Sequence, residues 1–442
     1  MTGTRTLAAT LAILAWSVAA VAAPVLIEPP AAPTPYVVKP GDTLSTIAQR
    51  YLTHVRDYHP VQGANKITRP RRLRTGSTLM LPHDLLRGSE ELAKVITFSG
   101  DALVARGETQ THVTVGADIR QSDVLITGAN AFMCIELADG ARVCLPSQST
   151  VTVARLRRVS LTQGREVDFL VTKGRTQSTV TKLVRPEDHF RVHTPVSVAA
   201  VRGTQFRVGF DTVTGHSAVE VLEGLVGVTG RDKGPGIAVP SMSGVTSTDT
   251  GVNAAQALLA APRVIKPGRT QADPTMTFSL EPVAGAAGYR GQLANDAGFL
   301  DLFNEVESKT PSLSFPGPPD GTYFVRVSAM ADGMEGAPKV YAFSRELFTP
   351  GGPPQPSSVG GQKRFGFKWF GGAADARFQF QLSRNQGFTD LVADQSGLKE
   401  KQLVLTDLPV GAYWWRVIVS KVRDGRVQFD AGPAQAFEVA GG

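Results

Sequence analysis

Few residues of this chain have the types and spacings that catalysis requires. The seven histidines include no HExxH pair and no ligand cluster. His189 and His193 fall four apart, but on a stretch that reads as a strand, where same-face histidines are more often packing or surface residues than metal ligands. Ser396-Gly397-Leu398-Lys399 has the SxxK spelling, yet that chemistry needs a helix to carry the lysine over the serine. Here a glycine interrupts a strand connection. There is no nucleophile elbow and no phosphate-cradling loop. Cys134 and Cys144 stand ten apart on facing strands, the wrong spacing for a CxxC redox pair. No catalytic residue, cofactor or metal site is expected, and the chain reads as a binder.

The residues suited to binding lie between 36 and 82, from YVVKPGDTLSTIAQRY to LRTGSTLMLP. Tyr36, Val37 and Val38 predict a short strand that Pro40-Gly41 turns. Asp42 or Thr43 then caps a helix whose apolar face is Leu44, Ile47, Ala48 and Tyr51. A closing strand at 78–81 is entered through Thr75-Gly76 and stopped by Pro82. This βααβ pattern resembles the LysM family, which binds the N-acetylglucosamine-containing glycan of peptidoglycan and chitin. The GDTL start, Asn65 and the Gly76…Leu79-Met80-Leu81-Pro82 ending sit in the family's order. Between the two halves, HVRDYHPVQGANKITRPRRLR is longer and more basic than a minimal module.

The resemblance implies a shallow groove between the loop before the first helix and the loop after the second. Its glycan-binding residues would be Gly41, Asp42, Thr43, Leu44, Asn65, Lys66, Ile67 and Arg72. Backbone groups of 41–44 and 65–67 would meet the acetamido groups, while Leu44 and Ile67 cover sugar faces. Asp42 and Thr43 serve equally as helix caps, and Asn65 reads as a turn or cap residue more than a direct ligand. Arg69, Arg71 and Arg72 would pair with peptide-stem carboxylates.

A net charge of +7 suits an anionic partner, and Arg69, Arg71, Arg72 and Arg74 concentrate it beside this unit. Nucleic acid is disfavoured, because no recognition motif accompanies the arginines. The anionic cell wall is the better match, with a merely solvated basic loop as the alternative.

The positioning elements follow from length and patterning. A chain of 442 residues predicts about three or four domains. Residues 1–22 read as a secretory signal peptide: Arg5, an apolar stretch over 7–18, and Ala20-Val21-Ala22 at the cleavage site. The alternative is an uncleaved anchor, although the apolar run is shorter than the about 20 residues of a span. No later run is long enough to cross a bilayer, so the mature chain is expected in the periplasm of a Gram-negative envelope. Residues 23–35 form a Pro/Ala-rich tether, 36–84 the LysM-like domain, and Ser89–Lys94 a short possible helix.

Period-two alternation broken by glycine turns then runs over 95–230 and predicts an all-β domain. In MCIELADGARVCL, a three-residue Ala138-Asp139-Gly140 loop with Gly140 left-handed keeps Met133, Ile135, Leu137, Val143 and Leu145 on the buried face. It pairs Glu136 with Arg142 and Cys134 with Cys144 on the outer face. A cross-strand disulfide fits an oxidising compartment, two free thiols being the alternative. The ring is short, so its effect should fall below the roughly 2–4 kcal/mol of longer loops.

This region resembles the FecR family of extracytoplasmic β domains. The match runs through Gly116-Ala117-Asp118, Asp123-Val124-Leu125-Ile126-Thr127-Gly128, Leu137-Ala138-Asp139-Gly140, Phe190-Arg191-Val192-His193-Thr194-Pro195, Val201-Arg202-Gly203-Thr204-Gln205-Phe206 and Val221-Leu222-Glu223-Gly224. Family members known as inner-membrane regulators carry a cytoplasmic arm before their membrane helix. Only residues 1–6 precede the apolar run here, which leaves such an arm out of the expectation. Gly203 reads as a turn or close backbone approach, with Arg202 presenting a charge as the rival role.

Residues 231–262 are expected to be the tail of the β domain and a linker. Beyond it a repeat of about 90 residues appears: Gly321-Thr322-Tyr323-Phe324-Val325-Arg326-Val327 returns as Gly411-Ala412-Tyr413-Trp414-Trp415-Arg416-Val417, and Gly298-Phe299-Leu300 as Gly387-Phe388-Thr389. Each copy, 263–349 and 357–440, has the length of a seven-stranded immunoglobulin-like sandwich and resembles a fibronectin type III module. Alternation puts one of Trp414 and Trp415 in the core and leaves the other exposed or interfacial. The expected protein is mainly β and multi-domain, a non-catalytic peptidoglycan binder whose β modules engage an unknown envelope protein. The alternatives are a FecR-type sensor acting through a membrane partner and, less favoured, a peptidoglycan-remodelling enzyme.

Overall fold

The computed structural model describes residues 32–231, 236–268, 270–271, 275–345, 349–359, 362–371, 376–423 and 426–440. The expected signal peptide, and residues 23–31 of the tether, lie outside the described residues. Two compact units divide the chain, the first running through Ser89 and taking in Arg106–Gln110 and Val159–Thr162.

In the first unit, β1 (Thr34–Val37) pairs antiparallel with β2 (Thr78–Leu81), Tyr36 opposite Leu79. The strand therefore starts two residues earlier than the pattern suggests and takes in the end of the expected tether. Between them lie α1 (Leu44–Tyr51) and α2 (Tyr58–Ala64). Tyr36, Val38, Leu44, Ile47, Ala48, Val61, Leu79 and Leu81 form the core. The hydrophobic effect of that small core is what holds so short a pair of helices.

The second unit begins at Glu90, and strands up to Gln256–Ala257 close its first part as a barrel. Its longest strand, Arg165–Thr179, belongs to both faces. The first half pairs antiparallel with Thr150–Val159 and parallel with His189–His193. The second half pairs with Arg142–Leu145 and Gln205–Phe210. The change of partner falls at Gly174, whose φ is +74°. A Cβ there would stand 2.6 Å from the Gln148 carbonyl oxygen, so no other residue fits.

Two expectations are corrected here. The 89–94 stretch is not helical: Ala93 and Lys94 pair with Leu137 and Glu136 in the barrel, sheet pairing overriding a weak local helix signal. Nor is 231–262 a linker over most of its length. Ile237–Pro240 extends the Leu225–Gly230 edge, and Ser243–Thr248 pairs with Ser217–Glu223, burying Val239 and Val245 completely. Small polar residues alternate with these few valines, which hides a strand inside a composition typical of connections.

Arg142 stands opposite Glu136 and Cys144 opposite Cys134, around Gly140 at φ +82°. The two cysteines are joined as a disulfide. Their face is not solvent: Cys134 is buried, because Phe132 beside it packs with Ala294, Phe299 and Leu302 of the first sandwich. Gly203 (φ +112°) approaches the Lys182 backbone closely, while the Arg202 guanidinium donates to the Arg185 and Pro186 carbonyls. Both residues shape the chain.

Each C-terminal repeat is a β sandwich. In the first, Thr275–Ser279 pairs with Ser312–Pro316 and faces a sheet ordered Leu302–Ser308, Gly288–Ala294, Gly321–Ala331, Lys339–Arg345. The second repeats this with Gln362–Phe370 and Gln402–Thr406 facing Leu391–Leu398, Arg377–Ser383, Gly411–Arg423 and Gln435–Val439. Tyr323 donates its hydroxyl to the Pro319 carbonyl and Tyr413 to that of Pro409, the tyrosine corner of such sandwiches. Arg326 bonds Gln292 and lies over the Phe299 ring; Arg416 bonds Gln381 and lies over Phe388. Trp415 is core and Trp414 half-buried.

Candidate functional site

In the first unit, Gly41 (φ +83°) turns the chain so that Thr43 can cap α1. Thr43 Oγ1 accepts from the Thr46 amide, and the Thr43 amide donates to Thr46 Oγ1. One turn further on, the α2 C-terminus leads into 65–72. The Leu44 amide donates to the Pro70 carbonyl at 3.0 Å, which sets the two predicted loops side by side.

Within that arrangement several predicted glycan contacts turn out to be scaffold. Asp42 is buried and caps nothing. Its carboxylate accepts from the Tyr36 hydroxyl (2.7 Å) and the Lys39 amide (2.8 Å) and pairs with Arg50 at 3.1 Å. Burial alone would raise its pKa. The Tyr36, Lys39 and Arg50 donors outweigh burial and hold it below the usual range, while burial and the same carboxylate push Tyr36 up to about 12.

Leu44 is 1% exposed and belongs to the core, so it cannot cover a sugar; its place in the α1 apolar face already decides this. Asn65 ends α2 and clamps it to β2. Its amide nitrogen donates to the Val61 and Met80 carbonyls, and its oxygen accepts from the Met80 amide. The amides of Asp42, Thr43, Leu44, Asn65, Lys66 and Ile67 are all used in local bonds. What the two loops offer outward is Gly41, half-buried Thr43 and Ile67, exposed Lys66, and exposed Arg69, Arg71, Arg72 and Arg74.

Residues 36–82 match the LysM domain family model. Residues 123–227 match the FecR protein model. The LysM match suggests peptidoglycan binding, the FecR match a regulatory role, and together they suggest an envelope protein. Both are families of binding or regulatory domains without catalysis of their own. No curated protein matches this chain.

Among solved structures, a candidate anti-sigma factor from Parabacteroides distasonis is 18% identical over 30% of this chain, with a TM-score of 0.25. The present chain spans 59% of that one. The FN1–FN3 domains of chicken CNTN1 are 13% identical over 67% of this chain and 93% of theirs, with a TM-score of 0.22. A two-domain fibronectin type III segment of chicken tenascin is 17% identical over 41% of this chain and all of its own, with a TM-score of 0.16. Among the described residues, no helix is long and apolar enough to cross a membrane.

Two charged clusters in the second unit escape any local sequence pattern. In the barrel, Asp168 is fully buried and accepts from Arg191 at 2.8 and 3.1 Å, with His193 at 3.6 Å and His189 at 3.8 Å. Burial opposes its ionisation, but these partners hold it well below the carboxylate range. The two histidines thus serve a carboxylate, and no group suited to a metal ion occurs among the described residues.

The second cluster joins barrel and first sandwich. Glu335 lies within 2.8 Å of Arg207 and of Arg175, both from the barrel, and within 3.0 Å of Arg290. The Ser328 hydroxyl donates to it, and its own amide donates to Glu220. Burial would raise the Glu335 pKa; the surrounding arginines overcome this and hold it low. Glu220, deeper, is raised by burial. The clue in the sequence was a set of charged residues, Arg290 and Arg326 among them, inside strands otherwise apolar on alternate positions.

Proposed function

We propose that the chain binds peptidoglycan through its LysM unit and holds the FecR-like barrel and the two sandwiches at the periplasmic cell wall, without catalysing a reaction. The observation that carries this reading is the LysM match over 36–82 on a unit whose two candidate loops are clipped together by the Leu44–Pro70 bond. Because Asp42, Leu44 and Asn65 build that unit, the outward groups do the binding. Gly41, Thr43 and Ile67 line the groove, and Lys66 and Arg72, backed by Arg69, Arg71 and Arg74, meet stem-peptide carboxylates. A single shallow site has modest affinity, but tethering raises the local concentration of the β domains.

The test is co-sedimentation of the mature protein with purified sacculi. Wild type should pellet, and Lys66→Glu with Arg72→Glu should lower the pelleted fraction while the fold is kept. Wild type remaining in the supernatant overturns the reading, and soluble muropeptides released in the same tube would require an enzyme instead. The FecR match favours one second reading, a sensor that works through a membrane partner. A transcript change on deletion that persists when only the LysM unit is removed would support it.

A further inference from the structure

Where the barrel meets the first sandwich, a cavity of about 140 Å³ opens beside the Glu335 cluster. Arg175, Thr176 and Arg207 line it from the barrel, and Arg290 and Arg326 from the sandwich. Phe132, Phe299, Leu300 and Leu302 form an apolar wall, next to the Cys134–Cys144 disulfide.

The polar wall carries donors in excess. Arg207 Nε, Arg290 Nε and Thr176 Oγ1 have no hydrogen-bond partner among the described residues, although these residues are only 4%, 3% and 1% exposed. Buried donors left so are costly and rare in folded proteins. Three of the four arginines already share Glu335, and Arg290 also pairs with Glu305. Arg326 has as its hydrogen-bond partner the neutral Gln292 oxygen. Burial and the nearby Arg207 and Arg290 bring its pKa down to about 10, against the pull of Glu335. The cluster thus holds more cationic than anionic charge among largely buried side chains.

We propose that this cavity binds a small organic carboxylate, its head on Arg207, Arg290, Arg326 and Thr176 and a short apolar body against Phe132, Phe299 and Leu302. A carboxylate is acceptor-only and matches a set of unsatisfied N–H and O–H donors. The apolar wall separates it from an inorganic oxyanion, which would leave that surface facing charge. Such a ligand would brace the barrel against the sandwich, and so links its concentration to their docking.

Isothermal titration of the full chain with sodium hexanoate, inorganic phosphate and sodium chloride at matched ionic strength tests this. Hexanoate should bind saturably, phosphate more weakly, and chloride should give only the uniform effect of screening. Thr176→Val and Arg326→Met should each weaken hexanoate by roughly tenfold or more. Arg326→Met should leave the ligand-free protein folded, with its circular dichroism unchanged, since burial already disfavours that charge. Hexanoate heats no different from chloride, or hexanoate binding unchanged in both variants, would overturn the proposal. Tight phosphate binding without hexanoate binding would overturn the organic-carboxylate assignment.

Discussion

Replacing Glu335 by glutamine tests how the barrel and the first sandwich are held together. Glutamine keeps the volume and can still accept from Ser328 and Arg207 through its one oxygen, but it removes the charge and turns an NH2 donor toward Arg175 and Arg290. In the native junction that charge meets three guanidiniums at 2.8, 2.8 and 3.0 Å. On a surface each such pair would be worth about 0–1 kcal/mol. Here, removing one partner strands buried cations, and the expected loss is about 3–5 kcal/mol.

Tryptophan fluorescence is a poor reporter of this loss, because the tryptophans among the described residues, Trp369, Trp414 and Trp415, lie in the second sandwich. Amide hydrogen exchange reads it directly. In Gln205–Phe210 and Gly288–Ala294, on the two sides of the junction, exchange should speed up by roughly a hundredfold to a few thousandfold. The effect carries a pH signature. Glu335 is held below the ordinary glutamate value of 4.5, so its stabilisation is complete above that value. It is lost as pH falls through the lower, folded-state value. Wild type and variant should therefore converge in acid. Exchange within about threefold of wild type at neutral pH would refute the junction argument.

Other outcomes follow from particular contacts. Gly174→Ala forces a left-handed alanine against the Gln148 carbonyl and should destabilise the barrel by roughly 2–4 kcal/mol in denaturant unfolding. Asn65→Ala removes two bonds between α2 and β2 and one to the Val61 carbonyl within α2, and should cost about 1–3 kcal/mol, read as faster exchange in 58–64 and 78–81. In an ultraviolet titration Tyr36 should ionise near pH 12, above the ordinary value of 10. The neutral phenol's contribution to stability then persists below 10 and is lost as pH rises toward 12. In Asp42→Asn, Tyr36 should titrate earlier, and a wild-type titration without a late tyrosine would refute the Tyr36–Asp42 pairing.

Much of the fold was written locally. Alternation around Gly140 fixed the register of the cysteine hairpin, because a one-residue slip would have turned Ile135 and Val143 outward. The 3.6-residue spacing of Leu44, Ile47 and Ala48 placed α1, and the repeated Gly-x-Tyr/Trp strands marked the two sandwiches. The candidate site was legible as a place and less so as a set of contacts. Asp42 and Asn65 look like ligands in a loop, and only the fold shows their side chains spent on Tyr36, Lys39 and Met80. The barrel strands at 237–257 were hidden by small polar residues. The Glu335 junction was hidden for another reason: its barrel partners lie 128 and 160 residues away in sequence, beyond the reach of any periodicity.

The two sandwiches carry matched clusters on the outer face of one sheet. Arg326, Gln292 and Phe299 in the first correspond to Arg416, Gln381 and Phe388 in the second, each glutamine also donating to an acid, Glu305 or Asp394. The arginine stands opposite the glutamine on paired neighbouring strands in both repeats. In the first copy Arg326 also lines the wall that meets the barrel. The same outward clamp thus serves two ends: in the second repeat it braces one sheet, and in the first it also presents a charge to the barrel.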